Sequence, residues 1–122
     1  MYADHTTLQI VGQIFIAVLF LGTALINSTT KVKQHADRMA ALSVPMPYAT
    51  LWAGFAIQYA GGILVLLNFR TDIGVYLLIF FTIAATVIFH RFWLATDPLM
   101  RHIHISILFS NIGIVGALLL LL

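Results

Sequence analysis

Apolar residues run almost unbroken through four stretches, Leu8–Asn27, Tyr48–Leu67, Ile73–Phe89 and Ile103–Leu122, none of which contains an Asp, Glu, Lys or Arg. These stretches are 20, 20, 17 and 20 residues long, close to the roughly 20 residues that carry a helix across about 30 Å of hydrocarbon. A membrane β-barrel would alternate apolar and polar positions in strands of about 10 residues. Here nearly every side is apolar, so the pattern predicts helices, which satisfy their own backbone in lipid. The expected fold is all-α: a polytopic membrane four-helix bundle forming a single transmembrane domain over residues 1–122, with spans at about 8–27, 48–67, 73–91 and 103–122.

The connections carry their own signals. From Thr30 to Ser43, the residues Val32, Ala36, Met39 and Ala40 recur at helical spacing opposite Gln34, Asp37 and Arg38. That spacing predicts a short interfacial amphipathic helix over 30–43. Pro45 and Pro47 then bracket the turn into the second span. Asn68–Asp72 reads as a tight turn that makes spans two and three an antiparallel hairpin. Trp93 suits an interfacial aromatic belt, and Asp97-Pro98 reads as a turn.

Composition narrows the class. Hydrophobic residues make up 61% of the chain and charged residues 8%, against about 45–50% and 25% in a soluble domain. Too little charge is present to solvate a globular surface. With no cysteine, disulfides, thiolate metal sites and thiol redox chemistry are excluded. The net charge of +2 resides in the connections, so it reports membrane topology and not nucleic-acid binding. Lys31, Lys33, Arg38, Arg91 and Arg101 fall in the first and third connections, and Arg70 alone falls on the opposite side. The positive-inside rule therefore puts those two connections in the cytoplasm and both termini in the periplasm. The N-terminal Met-Tyr-Ala-Asp-His lacks a basic region, and no cleaved signal peptide is expected.

Polar side chains within the spans should turn away from lipid toward other helices. Gln9 and Gln13 begin such a stripe on the first span, and Thr82, Thr86 and His90 stand at i, i+4 and i+8 on the third. Gln58, Thr82 and Asn111 fall near mid-span and are expected to meet in the bundle centre, with His90 closing the cytoplasmic end of the line. Two roles fit: interhelical glue, or a polar site for the head of a quinone or lipid, since an amide both donates and accepts. Gly54, Gly61, Gly62, Gly113 and Gly116 are the candidate helix-packing positions, with Gly113/Gly116 as a candidate seam for another protein.

No metal site is expected, because His102 and His104 lie about 200° apart on a helix. A haem would need a facing axial pair, for which His90 with His104 is the candidate; otherwise imidazole is an ordinary amphipathic group at an interface. No carboxylate lies within a span, which leaves a proton relay without a carrier. Nucleotide, triad and zinc-hydrolase motifs are absent. No residue is assigned a catalytic role, and no activity of the chain alone is expected.

The ordered landmarks resemble the DoxX/DoxD-like family of small four-helix membrane proteins. Leu19-Phe20-Leu21-Gly22 followed by Lys31 looks like the end of that family's first helix, and Leu42-Ser43-Val44-Pro45 like the segment before its second. The run Gly61–Leu67 with Arg70 after it is similar to the family hairpin, His90 to the histidine ending the third helix, and Asn111 before Gly113 and Gly116 to the fourth. Three positions depart: Gln58 stands where the family often has Glu, Asn68 where it often has Gly, and Ser110 where it often has Lys. The resemblance implies a subunit of a quinone-linked redox system in a bacterial inner membrane. The expected role is an accessory or anchor within a larger membrane protein complex, with no intrinsic cofactor. The alternative is a quinone- or lipid-binding module contributing directly to an oxidoreductase, using Gln58, Thr82, Thr86, His90 and Asn111.

Overall fold

A computed structural model describes residues 2–90 and 92–122; Arg91, counted above among the basic residues of the third connection, lies outside them. The described chain is all-helical: α1 (Thr7–Thr30), α2 (Val32–Ala41), α3 (Pro47–Leu66), α4 (Thr71–Phe89), a 3-10 turn (Phe92–Leu94) and α5 (Pro98–Leu119). α1, α3, α4 and α5 are each long and apolar enough to cross a membrane.

Local chemistry sets the helix ends. α1 starts with a capping box in which Thr6 Oγ1 accepts from the Gln9 amide and Gln9 Oε1 accepts from the Thr6 amide. Gln9 is thus spent on the cap and is exposed, outside the inward stripe expected for it. The helix also outlasts its apolar run. Thr29 and Thr30 donate to the carbonyls of Leu25 and Ile26, each at 2.7 Å, so their hydroxyls need no other partner.

Two helices close on left-handed residues. In α2, Ser43 (φ 63°) lets Val44 N–H reach Met39 O at 2.9 Å. In α3, Asn68 (φ 49°) lets Phe69 N–H reach Leu64 O at 3.0 Å, which together with Asn68 N–H to Val65 O makes a Schellman motif. Pro47 and Pro98 occupy the first turns of α3 and α5, where a missing N–H is harmless. α5 therefore begins at Pro98, five residues ahead of the expected start, with Asp97 as its N-cap. The reason is that a capped Pro start overrides the charge of Arg101.

α3 is the centre of the bundle, with α1 against one face and α4 against another; α5 lies on α4. Two apolar clusters fill the interior. At the end holding the α3–α4 turn, Ala17, Phe20, Val65, Val75, Leu78 and Leu118 pack together. At the opposite end, α2 lays Ala36 and Met39 against Leu51 and Phe55 of α3. Ala40, expected on the same apolar face of α2, is exposed.

Glycines decide how near the backbones come. A Cβ on Gly61 would meet the Leu78 side chain at 2.9 Å, one on Gly62 would meet Leu21 at 2.7 Å, and one on Gly74 would meet Leu64 Cβ at 2.9 Å and Gly61 O at 3.0 Å. Gly54, Gly113 and Gly116 have nothing within 4 Å of such an atom, so among the described residues none closes over them. Gly74→Ala should therefore destabilise the protein by about 1–3 kcal/mol, the usual cost of overpacking. Gly113→Ala should be neutral or gain up to about 1 kcal/mol from helix propensity. Unfolding titrations in mixed detergent check both, and equal losses would contradict the packing described.

Candidate functional site

The polar residues singled out above divide between two helix interfaces. Gln58 is buried and faces α1: its Nε2 donates to Phe20 O at 2.9 Å and to Thr23 Oγ1 at 2.8 Å. The expected meeting of Gln58 with Thr82 and Asn111 at the bundle centre does not occur. Helix periodicity explains this, because Gln58 and Gly62 are four apart on the face that abuts α1, whereas Gly61 lies on the face that abuts α4.

The other residues form a seam between α4 and α5. Thr82 is buried and donates to Leu78 O at 2.8 Å, and Thr86 donates to Thr82 O at 2.7 Å. Asn111 Nδ2 donates to Thr86 Oγ1 at 2.7 Å. His90, the C-cap of α4, meets His104 with the two Nδ1 atoms 3.2 Å apart. Leu118 completes the contact inside the apolar cluster. His104, Asn111 and Leu118 are seven residues apart, the spacing of a left-handed helix crossing. An open groove of about 350 Å³ runs beside this seam, lined by Thr82, Thr86 and Asn111 with Ile83, Leu108 and Val115.

Chemically, the histidine pair holds one proton in its contact: one Nδ1 donates and the other accepts. Around the same end, Arg38 of α2 donates to Phe89 O at 3.1 Å, and the His35 ring stands edge-on to Phe89. Burial first, then the charge of His104 and of Arg38, holds His90 below the ordinary imidazole range. Burial, followed by Arg38 and Lys31, does the same to His35. Among the described residues, no three His, Cys, Asp or Glu side chains converge in a way that would hold a metal ion.

A second polar network lies at the opposite end, where the sequence marked only a turn. Gln13 is buried and donates to Val65 O at 2.9 Å and to Asn68 Oδ1 at 3.0 Å, and Thr71 donates to the same Oδ1 at 2.7 Å. Tyr2 adds its hydroxyl, whose one proton is donated to Leu66 O, with Val65 O the more distant neighbour at 3.2 Å. The signal available in the sequence was the spacing Gln9-x-x-x-Gln13, of which the second member was the interior one.

A multi-pass helical membrane protein is thus defined by four apolar helices and a polar seam on each flank of the bundle. A family model for DoxX matches residues 8–91, and the chain belongs to the DoxX family, a family of membrane proteins. The match covers α1 to α4, so Asn111, Gly113 and Gly116 of α5 lie beyond it. No curated protein and no solved structure matches the chain.

The seam makes stability depend on pH. His90 and His35 are held neutral in the fold, so the unfolded chain binds more protons below the ordinary imidazole pKa of about 6.5. Stability should be full above that value, fall as the pH drops from it toward the depressed folded-state values, and level off below them. His90→Asn should flatten part of this dependence and leave the His35 part. Unfolding midpoints measured from pH 8 to pH 5 test it, and an acid-independent midpoint would be inconsistent with it.

Proposed function

We propose that this DoxX protein is an accessory or anchor subunit of a larger, quinone-linked redox complex in a bacterial inner membrane. The observation that carries this reading is the sparse packing of α5. Leu118 is its one fully buried residue among those described, while Phe109, Ile112 and Gly116 face outward. Apolar exposure alone suits lipid. The lack of any Cβ contact at Gly113 and Gly116 adds a small-residue surface on which another helix can approach closely. The redox and quinone part rests on the family resemblance.

A second reading has one observation in its favour. The groove of about 350 Å³ beside Thr82, Thr86 and Asn111 is large enough for part of a quinone ring or a lipid chain and has amide and hydroxyl groups on its wall. In that reading the chain binds quinone or lipid itself. Gln58, which faces α1, takes no part in it.

Purification from native membranes in mild detergent, followed by mass spectrometry of the intact assembly, separates the two. The anchor reading expects a stable larger complex that persists in Asn111→Leu, and a partner-free monomer would count against it. The binding reading expects a co-purified quinone or lipid that Asn111→Leu removes.

Both termini are proposed to face the periplasm, supported by Lys31, Lys33, Arg38 and Arg101 on the α2 side against Arg70 on the other. A reporter active only in the periplasm and fused after Leu122 is expected to give signal. A silent but correctly inserted fusion would reverse the orientation.

A further inference from the structure

Where α2 crosses the end of α4, the structure leaves a pocket of about 240 Å³ that shares no lining residue with the α4/α5 groove. One wall carries Arg38 and another His104; Phe89, Leu42, Leu94 and Ala95 supply the apolar remainder. The Arg38 guanidinium is held in place by its bond to Phe89 O and by stacking 5.2 Å from the centre of the Phe89 ring. Among the described residues the ion pair at this end is Lys33 with Asp37, at 3.2 Å. Arg38 therefore stands without a carboxylate and has N–H groups to spare. His104 spends Nδ1 on His90 and keeps Nε2.

Charge and depth both select the ligand. The described basic residues of this end, Lys31, Lys33, Arg38 and Arg101, face only two acids, Asp37 and Asp97, and Asp97 is engaged as the α5 cap. Arg38 thus leaves this end of the bundle with more positive than negative side chains. Phe89 is the last residue of an apolar span, which sets the pocket at the boundary between hydrocarbon and headgroups. A fixed cation beside an apolar wall at that depth matches an anion that carries an apolar tail.

We infer that Arg38 and His104 form a binding site for the phosphate of an anionic phospholipid, whose acyl chains lie against the apolar side of the pocket. The site is independent of the function proposed above, because it uses neither the groove nor a protein partner.

The test uses the full chain in an uncharged detergent, titrated with dioleoyl phosphatidylglycerol, dioleoyl phosphatidylcholine or glycerol phosphate, and bound lipid is counted by native mass spectrometry. Phosphatidylglycerol should bind about fivefold tighter than phosphatidylcholine, as about 1 kcal/mol for one basic side chain implies. Arg38→Gln should abolish that preference, Arg38→Lys should keep part of it, and Lys33→Gln, which removes the same charge from the same end, should leave it intact. Ala95→Phe, which fills the pocket from the connecting segment, should also abolish it, and this variant serves if Arg38→Gln does not fold. Equal binding of the two lipids by the unaltered chain would overturn the proposal. So would equal losses in Arg38→Gln and Lys33→Gln, which mark unspecific attraction, and so would displacement of lipid by glycerol phosphate at matching concentration, which moves the site to a soluble phosphate.

Discussion

The backbones of α3 and α4 touch at Gly61 and Gly74, where a Cβ on either glycine would be about 3 Å from the other's carbonyl oxygen. That approach requires two glycines facing each other. Once it is made, Leu78 and Val65 close over it, and the same cluster receives Ala17 and Phe20 from α1 and Leu118 from α5. Gly62, one position on, admits Leu21 of α1 to the adjacent face of α3. Lipid gives apolar helices little reason to associate, so close packing and hydrogen bonds carry the association. The three-helix unit of α1, α3 and α4 depends on this small patch.

Polar groups inside that unit complete the packing through backbone oxygens. Gln58 reaches Phe20 O, Gln13 reaches Val65 O, and Thr82 and Thr86 bond back along their own helix. Each of these carbonyls accepts a backbone N–H, within the helix or, for Val65 O, in its closing turn, and has a second lone pair to offer. The departures from the family pattern fit this arrangement. A carboxylate in place of Gln58 has no N–H and, when ionised, would face two oxygens, whereas the amide donates to both. Asn68 holds a left-handed conformation that glycine adopts freely and asparagine tolerates. Its side chain also supplies Oδ1, which joins Gln13 and Thr71.

Much of this architecture was legible in the pattern of charges. The gaps between Asp, Lys and Arg marked four helices, and the amphipathic spacing of Val32, Ala36 and Met39 marked α2. Boundaries were less legible: α1 runs on past Asn27 with the Thr29 and Thr30 hydroxyls satisfied by its own carbonyls, and the Asp97-Pro98 cap started α5 early. The seam of Thr82, Thr86, His90 and Asn111 could be seen as a stripe, but a stripe does not name its partner. Gln58 illustrates the gap. Its burial followed from polarity, while the choice between α1 and α4 depended on which of two neighbouring glycines faced which helix. Arg38 and His104 were missed as neighbours since they lie on separate helices joined only by the folding of α2 across the end of α4.

α5 is held differently from its neighbours. Its seam contacts at His104, Asn111 and Leu118 stand about 10 Å apart along its axis, with Ile114 packed on the apolar cluster between the last two, while Phe109, Ile112 and Gly113 are exposed. Separating α5 breaks one helix interface, whereas separating α3, clamped on both flanks, breaks two. The last helix therefore has the least to lose by parting from the bundle, since it leans chiefly on α4.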